Sequence, residues 1–334
     1  MARRRDDLPL DVQQALADAE KMMAADLSRN IHSVGFGKRT LDGQPDLRGH
    51  GVIFTVAIKG DRDCIQSMSI PRTLGDGMVS TDVIQAPPAE IELLRESDFL
   101  TRFMRDPGGQ NRNCHNTPIP GGVEIQPTGQ RWVGTLGCKV VRIAKDGSLR
   151  HGAITNWHVA TGEVGQRMVQ HGGSSEWFGE VASSPGIVFG GTNYVDLAVL
   201  DIQRTDGPYA PITHTVKPEQ LTLGSYSKEI SEGGVGTVVA RDGRTLGRII
   251  DGRCSQIGAT VRVGYGGGKV ALFKDQFVCT RQGGEFSASG DSGSMVFEYP
   301  AMRPFGLLFA GGTGTTIVSP AEYVIELGRV HSFQ

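Results

Sequence analysis

The residues best suited to covalent chemistry in this chain form the run Gly290-Asp291-Ser292-Gly293-Ser294. Acyl transfer needs an exposed hydroxyl on a tight turn that aims backbone N–H groups at one point. Glycines on either side of Ser292 keep that approach open because they have no side chain. We therefore predict that Ser292 is a nucleophile and that the N–H groups of Gly290 and Ser292 form an oxyanion hole. An ordinary turn is the alternative, since the chain has 47 glycines.

A serine nucleophile needs a base and an acid, and two upstream residues suit these roles. His158 follows a predicted strand, where its imidazole can face the end of that strand. Asp196 opens an apolar run, and a buried carboxylate is costly unless a charged or hydrogen-bonding group receives it. Asp201 is the competing acid, but it lies beyond the apolar run. A packed or surface histidine is the alternative for His158.

The region that carries these three residues reads as a β protein. Short apolar runs separated by glycine turns predict an antiparallel barrel or sandwich without intervening helices. The predicted strands cover 134–143, 152–156, 195–200, 236–240, 247–251, 260–263, 270–273, 277–280, 295–297 and 306–310. Ser319 as an N-cap, with Pro320 at the first helical position, predicts a closing helix.

The first part of the chain has a different texture. An apolar stripe from Pro9 to Leu27 predicts one amphipathic helix. Alternating runs at 31–36, 51–58 and 78–84 predict strands that complete a small α+β module over residues 1–85. Residues 86–120 are rich in proline and glycine and form a predicted linker, with a helix around Glu90 to Met104. The β domain then covers residues 121–334.

Composition bounds the function. Hydrophobic residues make up 38% and charged residues 21% of the chain, as in a soluble globular protein. A net charge of -2 gives no electrostatic case for nucleic acid or a membrane. Five cysteines without paired spacing, and a basic start with no apolar segment after it, indicate a cytoplasmic protein. Cys114-His115 lacks the repeated spacing of a metal site, and we predict no metal and no cofactor.

The β domain resembles the trypsin-like, chymotrypsin-fold serine peptidases. The resemblance rests on Thr155-Asn156-Trp157-His158-Val159, Val195-Asp196-Leu197-Ala198-Val199 and Gly290-Asp291-Ser292-Gly293-Ser294, and it covers roughly residues 121–330. The order His158, Asp196, Ser292 is that of the chymotrypsin arrangement. The resemblance implies a double β-barrel.

The same resemblance implies where a substrate binds. Phe305 to Gly312 looks like the strand beside the substrate, so the backbone of Phe309, Ala310 and Gly311 would pair with an extended peptide. Phe286, six residues before the nucleophile, would form the floor of the first specificity pocket. An apolar floor cannot pair a cation, so we expect a small or aliphatic side chain there instead of Lys or Arg. Glu285 is adjacent, and a register change of one residue would reverse this expectation.

A narrower resemblance concerns the front module. Ser33 to Lys38 and Thr81 to Ile84 look like the front module of intracellular trypsin-like peptidases of bacteria and of the plant narrow-leaf protein. We expect residues 1–85 to regulate access or assembly, through a homo-oligomer or a regulatory partner. We also expect an internal donor to hold Asp291, instead of a new amino terminus made by cleavage before Ile119.

The sequence thus predicts a serine endopeptidase that acts on a protein or peptide. Ser292 would attack the carbonyl, His158 would carry the proton, and Asp196 would hold the imidazole. An esterase or acyl hydrolase with the same triad is the first alternative. The second is a pseudo-protease that binds partners through the cleft.

Overall fold

The computed structural model describes residues 4–41, 44–59, 69–92, 94–95, 119, 121–170, 177–202 and 229–334, and within them the chain is mainly β, as predicted. The helices are α1 (Leu10–Ala25), α2 (Trp157–Ala160) and α3 (Ala321–Gly328), and a 3-10 turn covers Arg5–Asp7. The strands are β1 (Ile31–Leu41), β2 (Gln44–Val56), β3 (Thr73–Leu74), β4 (Val79–Gln85), β5 (Ala89–Ile91), β6 (Leu94–Arg95), β7 (Glu124–Pro127), β8 (Trp132–Thr135), β9 (Lys139–Ile143), β10 (Leu149–Thr155), β11 (Arg167–Gln170), β12 (Trp177–Ser183), β13 (Thr192–Asn193), β14 (Ala198–Asp201), β15 (Val238–Gly243), β16 (Gly247–Gly264), β17 (Val270–Arg281), β18 (Met295–Glu298), β19 (Arg303–Gly312), β20 (Thr315–Pro320) and β21 (Val330–Phe333).

The strands after residue 229 include a closed antiparallel ring. The pairing runs from β15 through β16, β17, β20, β19 and β18 and returns to β15. The predicted strands at 247–251 and 260–263 are two parts of β16, and those at 270–273 and 277–280 are two parts of β17. Register shifts between these long strands bend them, so that each serves two sides of the barrel.

Strands β7 to β12 and β14 form a second ring. The pairing runs from β7 through β11, β12, β14 and β10 to β9. The chain between β8 and β9 closes the ring. Strand β8 pairs with β7, and Gly137, which follows β8, donates its N–H to Ile154 O of β10 at 2.9 Å. These two closed rings are the double β-barrel that the sequence analysis expects. We call the ring of β7–β12 and β14 barrel 1 and the ring of β15–β20 barrel 2.

The described residues of the predicted front module extend barrel 2. Strand β1 pairs with β16 and with β2, and β4 pairs in parallel with β2. Helix α1 buries Val12, Leu16 and Met23 in the core that also contains Phe277 and Phe305 of barrel 2. The predicted helix and strands of this front module are therefore present, and they share the apolar core of the barrel that carries Ser292.

The prediction of a helix around Glu90 to Met104 is wrong for the residues that the structure describes there. Ala89–Ile91 and Leu94–Arg95 are strands, and residues 93 and 96–104 lie outside the described residues. Strand β5 lies between β16 and β19 and bonds to both. These tertiary hydrogen bonds outweigh the helical spacing of the sequence.

The closing helix is present, but its start differs from the prediction. Helix α3 begins at Ala321 with Pro320 at the N-cap position and without a side-chain cap bond. The Ser319 hydroxyl, which was expected to cap the helix, instead donates to Gln276 Oε1 at 2.8 Å.

Candidate active site

The three residues predicted to do chemistry meet between the two barrels. His158 and Asp196 belong to barrel 1, and Ser292 belongs to the turn before β18 of barrel 2. Thr135 joins the barrels here, because its N–H donates to Ser292 O at 2.8 Å and its hydroxyl donates to Gly290 O at 2.7 Å. The relative position of the nucleophile turn and barrel 1 is thus set by direct hydrogen bonds.

The one-turn helix α2 carries His158 at the end of β10. The Asn156 side chain, just before α2, donates to Asp196 O at 2.8 Å and ties the two segments together. Thr161 ends the turn with a left-handed φ of 65°. The His158 side chain is 2% exposed, so protein atoms fix the position of its ring.

Asp196 is fully buried and receives several donors. Its Oδ2 lies 2.7 Å from His158 Nδ1 and accepts from the Tyr265 hydroxyl at 2.5 Å. Its Oδ1 accepts from His158 N at 3.2 Å. These bonds offset the cost of removing the carboxylate from water. With the hydrogen on Nδ1, the Nε2 of His158 keeps its lone pair and can accept a proton.

Asp201, the competing acid, has another partner. It lies at the end of β14 and forms an ion pair with Arg142. Asp196 precedes β14 by two residues instead of opening the strand, which turns its carboxylate toward His158. The structure therefore brings Asp196, and not Asp201, to the histidine.

The nucleophile turn depends on its two glycines. Gly290 and Gly293 have φ values of 98° and 96°, a region that residues with side chains rarely adopt. A Cβ at position 293 would also lie 2.1 Å from Thr135 O. The turn can therefore approach barrel 1 closely only because these residues are glycines.

Asp291 is held by internal donors, as expected. Its carboxylate accepts from Thr245 N at 2.7 Å and from Ala288 N at 3.0 Å, and it forms an ion pair with Arg241 at 2.9 Å. Both side chains of this ion pair are fully buried. Ile119 lies in the core of barrel 1, so it is not the partner of Asp291.

We expected an exposed Ser292 hydroxyl, but Ser292 is buried. It donates to Phe309 O at 3.1 Å and accepts from Glu92 N at 3.1 Å. The His158 Nε2 is buried too and has no hydrogen-bond partner among the described residues. The acid and base are thus aligned with each other, while the serine hydroxyl is engaged with the backbone of Glu92 and Phe309.

A segment of the same chain covers Ser292. Residues 89–91 form β5, which pairs with β19 in the register Ala310 opposite Ile91 and Gly311 opposite Glu90. The next residue, Glu92, places its carbonyl oxygen 2.6 Å from Gly290 N, which is one of the two predicted oxyanion donors. Among the predicted substrate-binding residues, Phe309, Ala310 and Gly311 therefore line this segment.

Phe286 does not form the floor of the pocket. Its side chain is 1% exposed and packs in the core of barrel 2, where it contacts Gly252 and lies under the Arg241 guanidinium. The neighbouring Ser287 faces the segment instead, and its hydroxyl donates to Glu92 Oε1 at 2.6 Å. The prediction was wrong by one residue because the core of barrel 2 takes the apolar ring of Phe286, which leaves the Ser287 hydroxyl toward the segment.

Sequence reasoning missed Tyr265, Arg241, Ser287 and Glu92. An arginine directly after the apolar run Val238-Val239-Ala240 is a usable signal, since a buried cation needs a buried anion. No local pattern in the sequence marks Tyr265, Ser287 or Glu92 as site residues.

Other site types find no support in the part of the chain that the structure describes. No group of His, Cys, Asp and Glu side chains there could hold a metal ion. No described helix is long and apolar enough to cross a membrane. The free cysteines Cys138, Cys254 and Cys279 are buried, whereas Cys64 and Cys114-His115 lie outside the described residues.

Neither a protein-family model nor a curated protein matches this chain. Among solved structures it is similar to protease A of Thermobifida fusca, with 20% identity over 65% of this chain and 98% of that chain and a TM-score of 0.45. Similarity to the chymotrypsin of Cellulomonas bogoriensis has the same identity, coverage and TM-score. Nocardiopsis protease is similar over 66% of this chain and 100% of that chain, with 18% identity and a TM-score of 0.46.

Proposed function

We propose that the protein is a serine endopeptidase that hydrolyses peptide bonds through His158, Asp196 and Ser292. One observation carries this proposal, namely a peptide carbonyl oxygen 2.6 Å from Gly290 N beside the Ser292 hydroxyl. Backbone N–H groups at that distance stabilise the oxyanion that forms when a carbonyl is attacked. The cleft therefore fits a peptide bond and not only an acyl group.

The roles of the three residues follow from their bonds. Ser292 Oγ attacks the carbonyl carbon, and His158 Nε2, which has no other partner among the described residues, takes the proton. Asp196 keeps the hydrogen on Nδ1 and stabilises the charged imidazole. Rotation of the serine hydroxyl from Phe309 O to His158 Nε2 precedes attack. Water then hydrolyses the acyl-enzyme.

The two alternatives fit these observations less well. An esterase needs no strand pairing along its substrate, yet β19 bonds to an extended peptide here. A binding module needs no buried aspartate with a histidine and a tyrosine on it, and burying that carboxylate is costly.

Labelling with a fluorophosphonate and digestion of casein test this proposal. We expect the wild type to be labelled at Ser292 and to cut casein, and Ser292→Ala to do neither. Fast hydrolysis of an activated ester without any cut in casein would favour the esterase. Absence of label on the folded protein, with Glu92→Ala included to vacate the cleft, would favour the binding module.

We also propose that the enzyme acts in the cytoplasm. Cys254 and Cys279 face each other on β16 and β17 and are free, which suits a reducing compartment. Fractionation of the source cells tests this. Recovery of the protein outside the cell would contradict it.

A further inference from the structure

Strand β5 occupies the position of an added strand in the cleft. It lies between β16, to which it is parallel, and β19, to which it is antiparallel. An extended peptide bound to a sheet edge in this way gains affinity from backbone hydrogen bonds and specificity from alternate side chains. Ala89 and Ile91 pack into one apolar cluster whereas Glu90 between them is exposed, which is the alternation expected of such a peptide.

Residues 94–95 of the same segment lie on barrel 1. Leu94–Arg95 form β6, which pairs with β8 in the register Leu94 opposite Val133 and Arg95 opposite Trp132. Residues 89–92 thus lie on barrel 2 and residues 94–95 on barrel 1, with Ser292 between them. The carbonyl at the crossing point belongs to Glu92, so the bond presented to the serine joins Glu92 to Leu93.

The Glu92 side chain fills a pocket beside the nucleophile. Its Oε1 accepts from the Ser287 hydroxyl at 2.6 Å, and that hydroxyl lies 2.6 Å from Thr316 Oγ1. The absence of a side chain at Gly311 makes room for it, because a Cβ there would lie 2.1 Å from Glu92 Oε1. Its other oxygen, Oε2, is buried without a partner among the described residues.

The surroundings of this pocket, chiefly its burial, favour a neutral carboxyl group. Burial raises the pKa of Glu92 to about 8, and the negative charges of Asp291 and Glu285 add to that shift. The Ser287 hydrogen bond and the positive charge of Arg241 act in the opposite direction. Arg241 is committed to Asp291, so the pocket binds the acid through hydroxyl groups and shape.

Resting on the proposed peptidase activity, we infer that the first specificity pocket of this enzyme takes a glutamate side chain and that the chain cleaves itself between Glu92 and Leu93. The segment 89–95 is the first substrate and, while intact, keeps other peptides out of the cleft.

The cleavage balances as an ordinary acyl transfer. The Ser292 Oγ–carbon bond to Glu92 forms, the bond from that carbon to Leu93 N breaks, and the hydroxyl proton passes through His158 to Leu93 N. Water then hydrolyses the ester, which leaves a carboxylate on Glu92. Residues 1–92 keep their contacts with barrel 2 through α1 and β1, so we expect the two fragments to stay together.

Intact-mass spectrometry of the purified full chain tests the inference. We expect the wild type to become the fragments 1–92 and 93–334 and Ser292→Ala to stay whole. Glu92→Ala removes the side chain from the pocket and should slow the cut at least about a hundredfold, because the pocket hydroxyls lose their partner. Glu90→Ala is the matched control, since Glu90 is the same residue type two positions away and exposed, and it should be cut like the wild type.

Casein digested by the same preparations distinguishes the inference from the proposed function. We expect the new chain ends in casein to follow glutamate. Cuts that require Ser292 but follow other residues, with the enzyme itself whole, would overturn the inference and leave the peptidase standing. If neither the wild type nor Glu92→Ala reacts with a fluorophosphonate or cuts casein, the peptidase proposal fails and the inference fails with it.

Discussion

The barrel 1 side and the barrel 2 side of the cleft differ in how their triad candidates are hydrogen-bonded. On barrel 1, His158 and Asp196 are joined at 2.7 Å and supported by Tyr265, and the proton-accepting nitrogen is free of partners among the described residues. On barrel 2, the Ser292 hydroxyl is bonded to Phe309 O and to Glu92 N. In the proposed peptidase, His158 would thus be free to take a proton, whereas Ser292 is engaged by the chain's own peptide. We therefore expect that activity to be controlled on the serine side.

The largest expected effect comes from a substitution of Asp196, on the barrel 1 side of the cleft. Asp196→Asn should lower kcat about 10⁴-fold, because an amide favours the wrong imidazole tautomer. Asp201→Asn is the matched control, since Asp201 pairs with Arg142 away from the histidine, and it should keep its turnover. Turnover of a peptide substrate measures both. A fully active Asp196→Asn with an inactive Asp201→Asn would show that the acid is misassigned.

On the barrel 2 side, the ion pair between Arg241 and Asp291 supports the turn that carries Ser292. Arg241→Met should cost about 3–5 kcal/mol in the free energy of unfolding, because it leaves Asp291 buried without its ion pair. Urea denaturation of the Ser292→Ala background measures this without self-cleavage. Arg253→Met is the control, because Arg253 is exposed and should change stability little. Equal stability of the two variants would contradict the role of the ion pair.

Changing pH should release the segment from Ser292 without any mutation. The pKa of Glu92 is about 8 in the cleft and about 4.5 in a free peptide, so the docked state binds the proton more tightly. Docking is therefore strongest below the free pKa and weakens by up to about tenfold per pH unit as pH rises toward the docked pKa. Above that value no further change is expected.

Amide hydrogen exchange at residues 89–92 in Ser292→Ala, corrected for intrinsic rates, measures this release. Glu92→Gln in the same background is the control, because an amide resembles the neutral acid and does not titrate. Protection should fall with pH in the first variant and stay constant in the second. A parallel fall in both variants would exclude Glu92 as the titrating group.

The smallest expected effect concerns Tyr265, which positions Asp196. Tyr265→Phe keeps the ring that stacks on Phe273 but removes the hydroxyl from the carboxylate. We expect kcat to fall about tenfold with KM unchanged, since one hydrogen bond to a charged group is worth about 1.5–3 kcal/mol. Tyr194→Phe, at a partly exposed tyrosine, should leave both constants unchanged. A change in KM alone would place Tyr265 in substrate binding instead.

Local signals in the sequence were sufficient to predict the β body, helix α1 and the three triad candidates. These features depend on short-range signals: apolar periodicity, glycines around a serine, and an acid beside an apolar run. Such signals report the local backbone and its exposure, and they persist in any tertiary setting. The same signals gave the wrong result at Glu90 to Met104, where the backbone bonds of β5 to β16 and β19 replace a helix.

Only the tertiary structure decided which distant groups meet. Glu92 reaches Ser292 across 200 residues of chain, Tyr265 reaches Asp196 across 69, and Arg241 pairs with Asp291 from another strand of barrel 2. These contacts arise because two closed barrels bring their loops to one cleft, and hydrogen-bonding partners there are chosen by proximity after packing. Whether Phe286 or Ser287 faces the pocket is settled in the same way, because the core of barrel 2 buries the larger apolar ring and leaves the hydroxyl toward the glutamate.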